Sequence, residues 1–227
     1  VRLLVFPRHS RLRLDRFLAA VTGLSRREAR RWIGAGRVRV DGSTVRVLSR
    51  QVRTAQVVEV EGTAEELEGI EDSQPPEIEV VYEDPALLVV DKPSGVLSQP
   101  AERPEPDDLA MDQRVRLHLA AREGRRPPYL ALIHRLDRIA SGLLVFARTK
   151  AAAGRVSESF RRGRAERWYL AVVEGEPAFT HTTVDRPIAR ARGFGWKFET
   201  TIPKDPDGRP AVTEVIVERV GEGWARV

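Results

Sequence analysis

Residues 131–150 read ALIHRLDRIASGLLVFARTK. An apolar run meets His134-Arg135-Leu136-Asp137, and Ser141-Gly142 then opens a second apolar run. A loop between two buried strands is a rigid mount for functional side chains. A carboxylate such as Asp137, partly withheld from water there, can act as a nucleophile or a general base. Arg135 stands two residues earlier, so on extended backbone the two side chains share a side. The same residues also suit a plain turn, with Asp137 capping its own loop and pairing with Arg135 or Arg138. Ser141, His134 and Asp137 are the residue types of a hydrolase triad, but nearness along a strand gives no triad geometry. A phosphotransferase of the H-R-D type needs a Gly-rich phosphate loop and a D-F-G, and neither occurs; Gly193 and Gly195 form a lone G-x-G.

The flanking pattern supplies strands to hold this loop. IEVVY (78–82), the turn Glu83-Asp84-Pro85 and LLVVD (87–91) read as a strand pair, followed by a tight loop at Lys92-Pro93-Ser94-Gly95. YLALI (129–133), GLLVFA (142–147), RWYLAVVEG (167–175) and AVTEVIVERV (211–220) read as further strands. Helical spacing runs through 109–123 and again from Thr149 to Gly163. Residues 101–108 read as a loop, and 185–210 are rich in Pro and Gly. Strands with interspersed helices predict an α+β domain around a mixed, mainly antiparallel sheet.

Charge divides the chain. Residues 1–60 carry fourteen arginines against Asp15, Glu28, Asp41 and Glu59, a net of +10, whereas 61–80 carry eight acids and no base. Arginine outnumbers lysine 34 to 4 over the chain, a bias of composition that does not account for the crowding at one end. RLDRFLAAV (13–21) predicts a helix with Leu14, Phe17, Leu18 and Val21 on one face. Ser25 and Glu28 predict a capping box for a second helix. In it Arg26, Arg27, Arg30 and Arg31 share one arc, opposite Ala29, Trp32 and Ile33. RVRVDGSTVRV (37–47) predicts a hairpin turning at Asp41-Gly42, with Arg37 and Arg39 on it. Guanidinia so arrayed suit the phosphates of a folded polyanion. EGTAEELEGIEDSQPPE (61–77) reads as an acidic linker.

Composition excludes other classes. There are no cysteines, so no disulfides and no thiolate metal sites, and the four histidines lack ligand spacing. No apolar run approaches the length of about 18 residues that a membrane-spanning helix needs, and VRLLVFPRHS is no secretory signal. The expectation is a cytoplasmic monomer without metal or cofactor, binding neither membrane nor DNA.

RLDRFLA, LSRREARRWIGAGRVRVDG and a short strand ending near Val60 resemble the S4 RNA-binding domain over residues 1–60. That resemblance implies structured RNA as partner, read by shape; Arg26, Arg27, Arg30, Arg31, Arg37 and Arg39 would contact it. HRLDRIASGLLVFARTK closely resembles the signature of the RluA-type pseudouridine synthases. EVVYEDPALLVVDKPSGVLSQP (79–100), RWYLAVVEGEP (167–177) and GRPAVTEVIVERV (208–220) are similar to that family's other motifs. The resemblance implies a cofactor-free isomerisation of uridine: the N1 glycosidic bond breaks, the base turns, and a bond to C5 forms. On the family's pattern Asp137 is the catalytic carboxylate. Tyr169 stacks on the target base, and Arg135 helps to hold it out of the helix. These roles suit the cost of extruding a base, roughly a few kcal/mol, and the gain from stacking it, about 1–3 kcal/mol.

The expected substrate is large-subunit ribosomal RNA, with transfer RNA second. A non-catalytic S4 protein acting in ribosome assembly is the alternative. Ala140 stands where the family has Thr, at a cost of about 1 kcal/mol for one hydrogen bond. The family continues into a motif like TGRTHQIRxH, absent before the terminal GEGWARV, so the catalytic domain is expected to be incomplete at its C-terminal end. The expected organisation is an S4 (α-L) domain over 1–60, a linker over 61–77, and a pseudouridine synthase domain with peripheral helices over 78–227.

Overall fold

Strand β1 (Arg2–Leu4) opens the chain, before helices α1 (Leu14–Val21) and α2 (Arg26–Gly34) and strands β2 (Val38–Val40), β3 (Ser43–Thr44) and β4 (Val57–Val60). This computed structural model describes residues 1–62, 67, 74–102, 108–191, 198–200 and 207–227. Two compact units result, Val1–Ala165 and Glu166–Val227. Most of the predicted linker, most of the loop at 101–108, and Gly193 and Gly195 lie outside the described residues.

In the N-terminal module the strands form one sheet in the order β1-β4-β2-β3. Helix α1 buries Leu14, Phe17, Leu18 and Val21, and α2 buries Ala29, Trp32 and Ile33, as their spacing requires. The capping box is made: Ser25 Oγ accepts from the Glu28 amide at 3.3 Å, and the Ser25 amide donates to Glu28 Oε2 at 3.0 Å. The hairpin turns at Asp41 (φ 50°) and Gly42 (φ 79°), the two positive-φ positions that a type I′ turn demands. Leu67, from the stretch read as a linker, is buried in this module's core.

Asp15 is the exception on the apolar face of α1. It is fully buried and gathers three guanidinium groups. Arg13 Nε donates to Oδ1 at 3.1 Å, Arg30 Nε donates to Oδ2 at 3.0 Å, and Arg26 Nη2 lies 3.5 Å from Oδ2. Burial pushes the Asp15 carboxyl up, but Arg13, Arg30 and Arg26 outweigh it and hold the group down at about 2.

The rest of the first unit is a second sheet in the order β5-β6-β8-β7, built from β5 (Glu79–Glu83), β6 (Leu87–Lys92), β7 (Ala131–Leu132) and β8 (Gly142–Ala147). Strand β7 is shorter than YLALI predicts. Helix α3 (Met111–Glu123) covers this sheet, burying Met111, Val115 and Leu119 against Leu88, Val90, Leu144 and Phe146. Helix α4 (Lys150–Arg161) follows β8 and starts where Thr149 caps the Ala152 amide at 3.1 Å. The other face of α3 packs on the N-terminal module, where Leu117 and Ala120 meet Leu4, Ala55 and Val57. The Arg126 amide adds a polar tie, donating to Asp41 Oδ1 at 3.0 Å.

The second unit holds β9 (Val172–Glu174), β10 (His181–Asp185), β11 (Ile188–Arg190), β12 (Phe198–Thr200), β13 (Val212–Ile216), β14 (Arg219–Gly221) and β15 (Trp224–Arg226). They pair as β14-β15-β9, β10-β13 and β11-β12. Two readings of this region are corrected. The strand predicted over 167–175 is regular only from Val172, because only there does it gain a full partner in β15. The strand predicted over 211–220 is two: the Val217 amide turns to Thr180 O at 2.8 Å and the Glu218 amide to Arg226 O at 2.9 Å, so β13 and β14 join different sheets. Every strand pairing among the described residues is antiparallel.

Asp15→Asn keeps the volume and removes the anion that three cations share. A fully buried pair broken this way costs roughly 3–5 kcal/mol; with half-exposed guanidinia the expected cost is about 2 kcal/mol at neutral pH. The folded carboxyl titrates at about 2, below its ordinary 3.8. Its stabilisation is therefore complete above about pH 4 and is lost as pH falls through about 2. Urea titrations of the two proteins should differ at pH 7 and converge towards that limit.

Candidate active site

Antiparallel pairing of β6 with β8 sets Lys92 opposite Gly142. The loop that leaves β6 and the loop that enters β8 therefore emerge side by side from one end of the sheet. Gly142 makes the entry, at φ 124°, where a side chain would be strained. The two loops, 93–98 and 133–141, are then stitched together, mostly by side chains of one loop bonding backbone groups of the other.

Lys92 is the main stitch. Its side chain is completely buried, and Nζ donates to three carbonyls: Pro93 O at 3.0 Å, Val96 O at 2.8 Å and Arg138 O at 3.3 Å. Burial pushes the Lys92 ammonium down, while the carboxylates of Asp137 and Asp91 pull it back up. Asp137 is thus near enough for the opposite charges to attract. Ser98, also buried, bonds Leu136 twice, its Oγ donating to the carbonyl at 2.6 Å and accepting from the amide at 3.0 Å. The Gly95 amide donates to Arg138 O at 2.8 Å, Arg138 Nε returns to Gly95 O at 2.9 Å, and Ser94 Oγ donates to Ile139 O at 2.7 Å.

Leu136 packs into the core, while Arg135 and Asp137 on either side of it are exposed. The alternation places both side chains outward, as their spacing predicts. The expectation that Asp137 is partly withheld from water is corrected: with Leu136 turned inward, the carboxylate faces solvent. Among the described residues, no ion pair joins Asp137 to Arg135 or Arg138, the pairing a plain turn would make. Arg138 reaches Asp108 at 3.4 Å and the Gly95 carbonyl, and Arg135 has no hydrogen bond or ion pair among the described residues. His134 accepts from the Val145 amide at 3.3 Å and stacks on Phe160 with ring centres 5.0 Å apart, which pins the start of the loop. Tyr169 belongs to the second unit, in the extended stretch before β9, with 64% of its surface exposed between exposed Trp168 and Leu170.

The six arginines expected at an RNA face fall into two groups. Arg26 and Arg30 are shared with Asp15; Arg37 lies over the Trp32 ring at 4.0 Å and donates to Glu61 O at 2.8 Å; Arg39 pairs with Glu61 at 3.3 Å. Arg27 and Arg31 form no close ion pair among the described residues, although Arg31 is near enough to help hold the Glu28 carboxyl down, and they line an open groove with Arg26 and Arg30. Residue-by-residue reading missed Asp15, Lys92 and Ser98. A charge on the apolar stripe of α1 marks the first, and a lysine ending an apolar strand marks the second. Ser98 carries no signal of its own.

An arginine-rich helix and hairpin module precedes an antiparallel sheet that holds a carboxylate loop. Comparison with known proteins agrees: residues 12–58 match the S4 domain and residues 86–215 match the RNA pseudouridylate synthase domain. The chain belongs to the RNA pseudouridylate synthase family. It is 34% identical over 167 residues to the dual-specificity RNA pseudouridine synthase RluA of Escherichia coli (strain K12), covering 70% of this chain and 69% of that one. It is 30% identical to the uncharacterized RNA pseudouridine synthase YlyB of Bacillus subtilis (strain 168), covering 91% and 67%. With the ribosomal large subunit pseudouridine synthase D of Escherichia coli (strain K12) the identity is 30%, over 88% and 59%. The solved structure of human RNA Pseudouridylate Synthase Domain Containing 1 shares the fold, with a TM-score of 0.53 at 23% identity over 69% of this chain and 60% of that one. The chain thus spans only part of each relative's length.

Lys92→Met keeps the stem of the side chain and leaves three carbonyls without their shared donor. Arg138 O keeps the Gly95 amide, whereas Pro93 O and Val96 O lose their charged donor; a hydrogen bond to a charged group is worth about 1.5–3 kcal/mol, so the variant should unfold at clearly lower urea. Amide exchange at Gly95 should accelerate more than exchange in α2, since the lost bonds tie the two loops and not the N-terminal module.

Proposed function

We propose that this protein converts uridine to pseudouridine in structured RNA, with large-subunit ribosomal RNA as the substrate and Asp137 as the catalytic carboxylate. The observation that carries the reading is an accessible carboxylate on a loop whose backbone is fixed on both sides of it. Such a mount holds a reacting group at a set position at no cost during the reaction. The named relatives support the substrate class: one is a dual-specificity RNA synthase and another a ribosomal large subunit synthase.

Arg135, outward beside Asp137, holds the target nucleotide out of its helix and meets its phosphate. Tyr169 supplies a stacking surface for the base. The N-terminal module, residues 1–60, binds the RNA through Arg27 and Arg31, assisted by Arg26, Arg30, Arg37 and Arg39. The acidic stretch 61–77 links it to the catalytic part, 78–227. We place the protein in the cytoplasm as a monomer. Among the described residues no helix is long and apolar enough to cross a membrane.

Asp137→Asn should abolish pseudouridine formation in large-subunit ribosomal RNA, read by carbodiimide labelling and primer extension, and should leave RNA affinity within a few-fold. Binding by the wild-type protein with no new stop would instead support the non-catalytic, assembly-factor reading. Arg27→Gln with Arg31→Gln should weaken binding and reduce the slope of log K against log salt by about 1–2, the share of roughly two phosphate contacts.

A further inference from the structure

A second concave cationic site lies in the first unit, apart from the α2 face. It is a cleft of about 640 Å³ at the seam where the N-terminal module meets the segment after α3. That volume falls within the roughly 300–1,000 Å³ of small-molecule sites. Arg50 and Arg53 enter from the module and Arg126 from the other side. None of the three has a carboxylate partner among the described residues, in contrast to Arg13, Arg26 and Arg30 on Asp15. Three cations against the single carboxylate of Asp41 leave the lining with a net positive charge, which a polyanion would neutralise.

The one carboxylate in the lining, Asp41, is already committed. Its Oδ1 accepts from the Val57 amide at 3.0 Å and from the Arg126 amide at 3.0 Å, and its Oδ2 accepts from Gln56 Nε2 at 2.8 Å. Asp41 therefore acts as a latch that fixes Arg126 beside the module. Of the remaining walls, Gln51, Pro127 and Pro128, the two prolines add no backbone donor and have little freedom to move. Guanidinia with their donors unspent match the paired oxygens of a phosphodiester.

We propose that this seam cleft is a second RNA-backbone site, taking a phosphodiester of the same RNA that α2 binds. The inference rests on the proposed RNA substrate. An RNA held both by the module and by the loop carrying Asp137 must cross from one part of this unit to the other. A cationic cleft at their junction guides that crossing and sets the register of the strand with respect to Asp137.

The test compares wild-type protein, the Arg50→Gln, Arg53→Gln and Arg126→Gln triple variant, and the single Arg53→Glu, with urea unfolding as the check on folding. The probes are a large-subunit ribosomal RNA transcript, inorganic phosphate and poly-glutamate. The expected result is about a tenfold or greater loss of RNA affinity in the triple variant, a salt slope lower by about one, and the same direction of change in Arg53→Glu. RNA affinity and slope equal to wild type in both folded variants overturn the proposal. It is equally overturned if RNA binding is unchanged while phosphate or poly-glutamate binding is lost, since the cleft then serves a free anion or an acidic protein segment. Pseudouridine formation is scored on the same RNA. If the wild-type protein makes none, the enzymatic reading fails; an affinity loss in the triple variant then still upholds the cleft.

Discussion

One buried ammonium organises the catalytic half of the first unit. Lys92 sits at the last position of a central strand, with no water to solvate it and three carbonyls taking its protons. An unsolvated charge is tolerable only with such satisfaction. Two of those carbonyls come from its own loop and the third from the loop of Asp137. The charge therefore requires the two loops to close on each other, and Ser98 and Gly95 complete the closure. On the Asp137 loop the groups bonded are mainly backbone carbonyls and amides, which leaves the side chains of Arg135 and Asp137 free to face outward. Had Asp137 been held by its own side-chain bonds, those bonds would have to break for chemistry.

Asp15 solves the opposite problem in the N-terminal module. Four arginines on one arc of α2 repel one another. A single carboxylate on α1, placed behind them with no exposure, draws two inward together with Arg13. Arg27 and Arg31 stay open. The module thus keeps a positive face at a tolerable cost, and the face is set by the packing of α1 on α2 rather than by either helix singly. Arg26 and Arg30 are not withdrawn by this: a guanidinium has five donors, and those spent on Asp15 leave others to share.

Local patterns were legible where residues close together in the sequence determine the outcome. The capping box at Ser25 and Glu28, the positive-φ turn at Asp41-Gly42, the N-cap at Thr149 and the strand Gly142–Ala147 all follow from short-range chemistry. The second unit was legible poorly, since Arg167–Ala171 and Val217-Glu218 look like strand and become regular only where a partner exists. Pairing there is decided by partners as distant as Arg226 is from Val172, and β-propensity does not record it. At the site, Asp137 and Arg135 were visible through spacing and resemblance. The role of Lys92 was not, because it depends on the antiparallel register that sets Lys92 opposite Gly142.

The exposure of Asp137 has a consequence for how such a site could work. A carboxylate open to solvent is screened, and water competes for it. The rigid loop supplies position but not dryness. On the proposed reading, dryness arrives with the substrate: an extruded uridine lying over the loop displaces water from Asp137 and strengthens every charge nearby, including that of Lys92. Ile139, 83% exposed two residues beyond the carboxylate, and Leu143, 54% exposed just past Gly142, give such a base an apolar surface to cover. Binding and activation then become one event, because the group that reacts is also the group that closes the site.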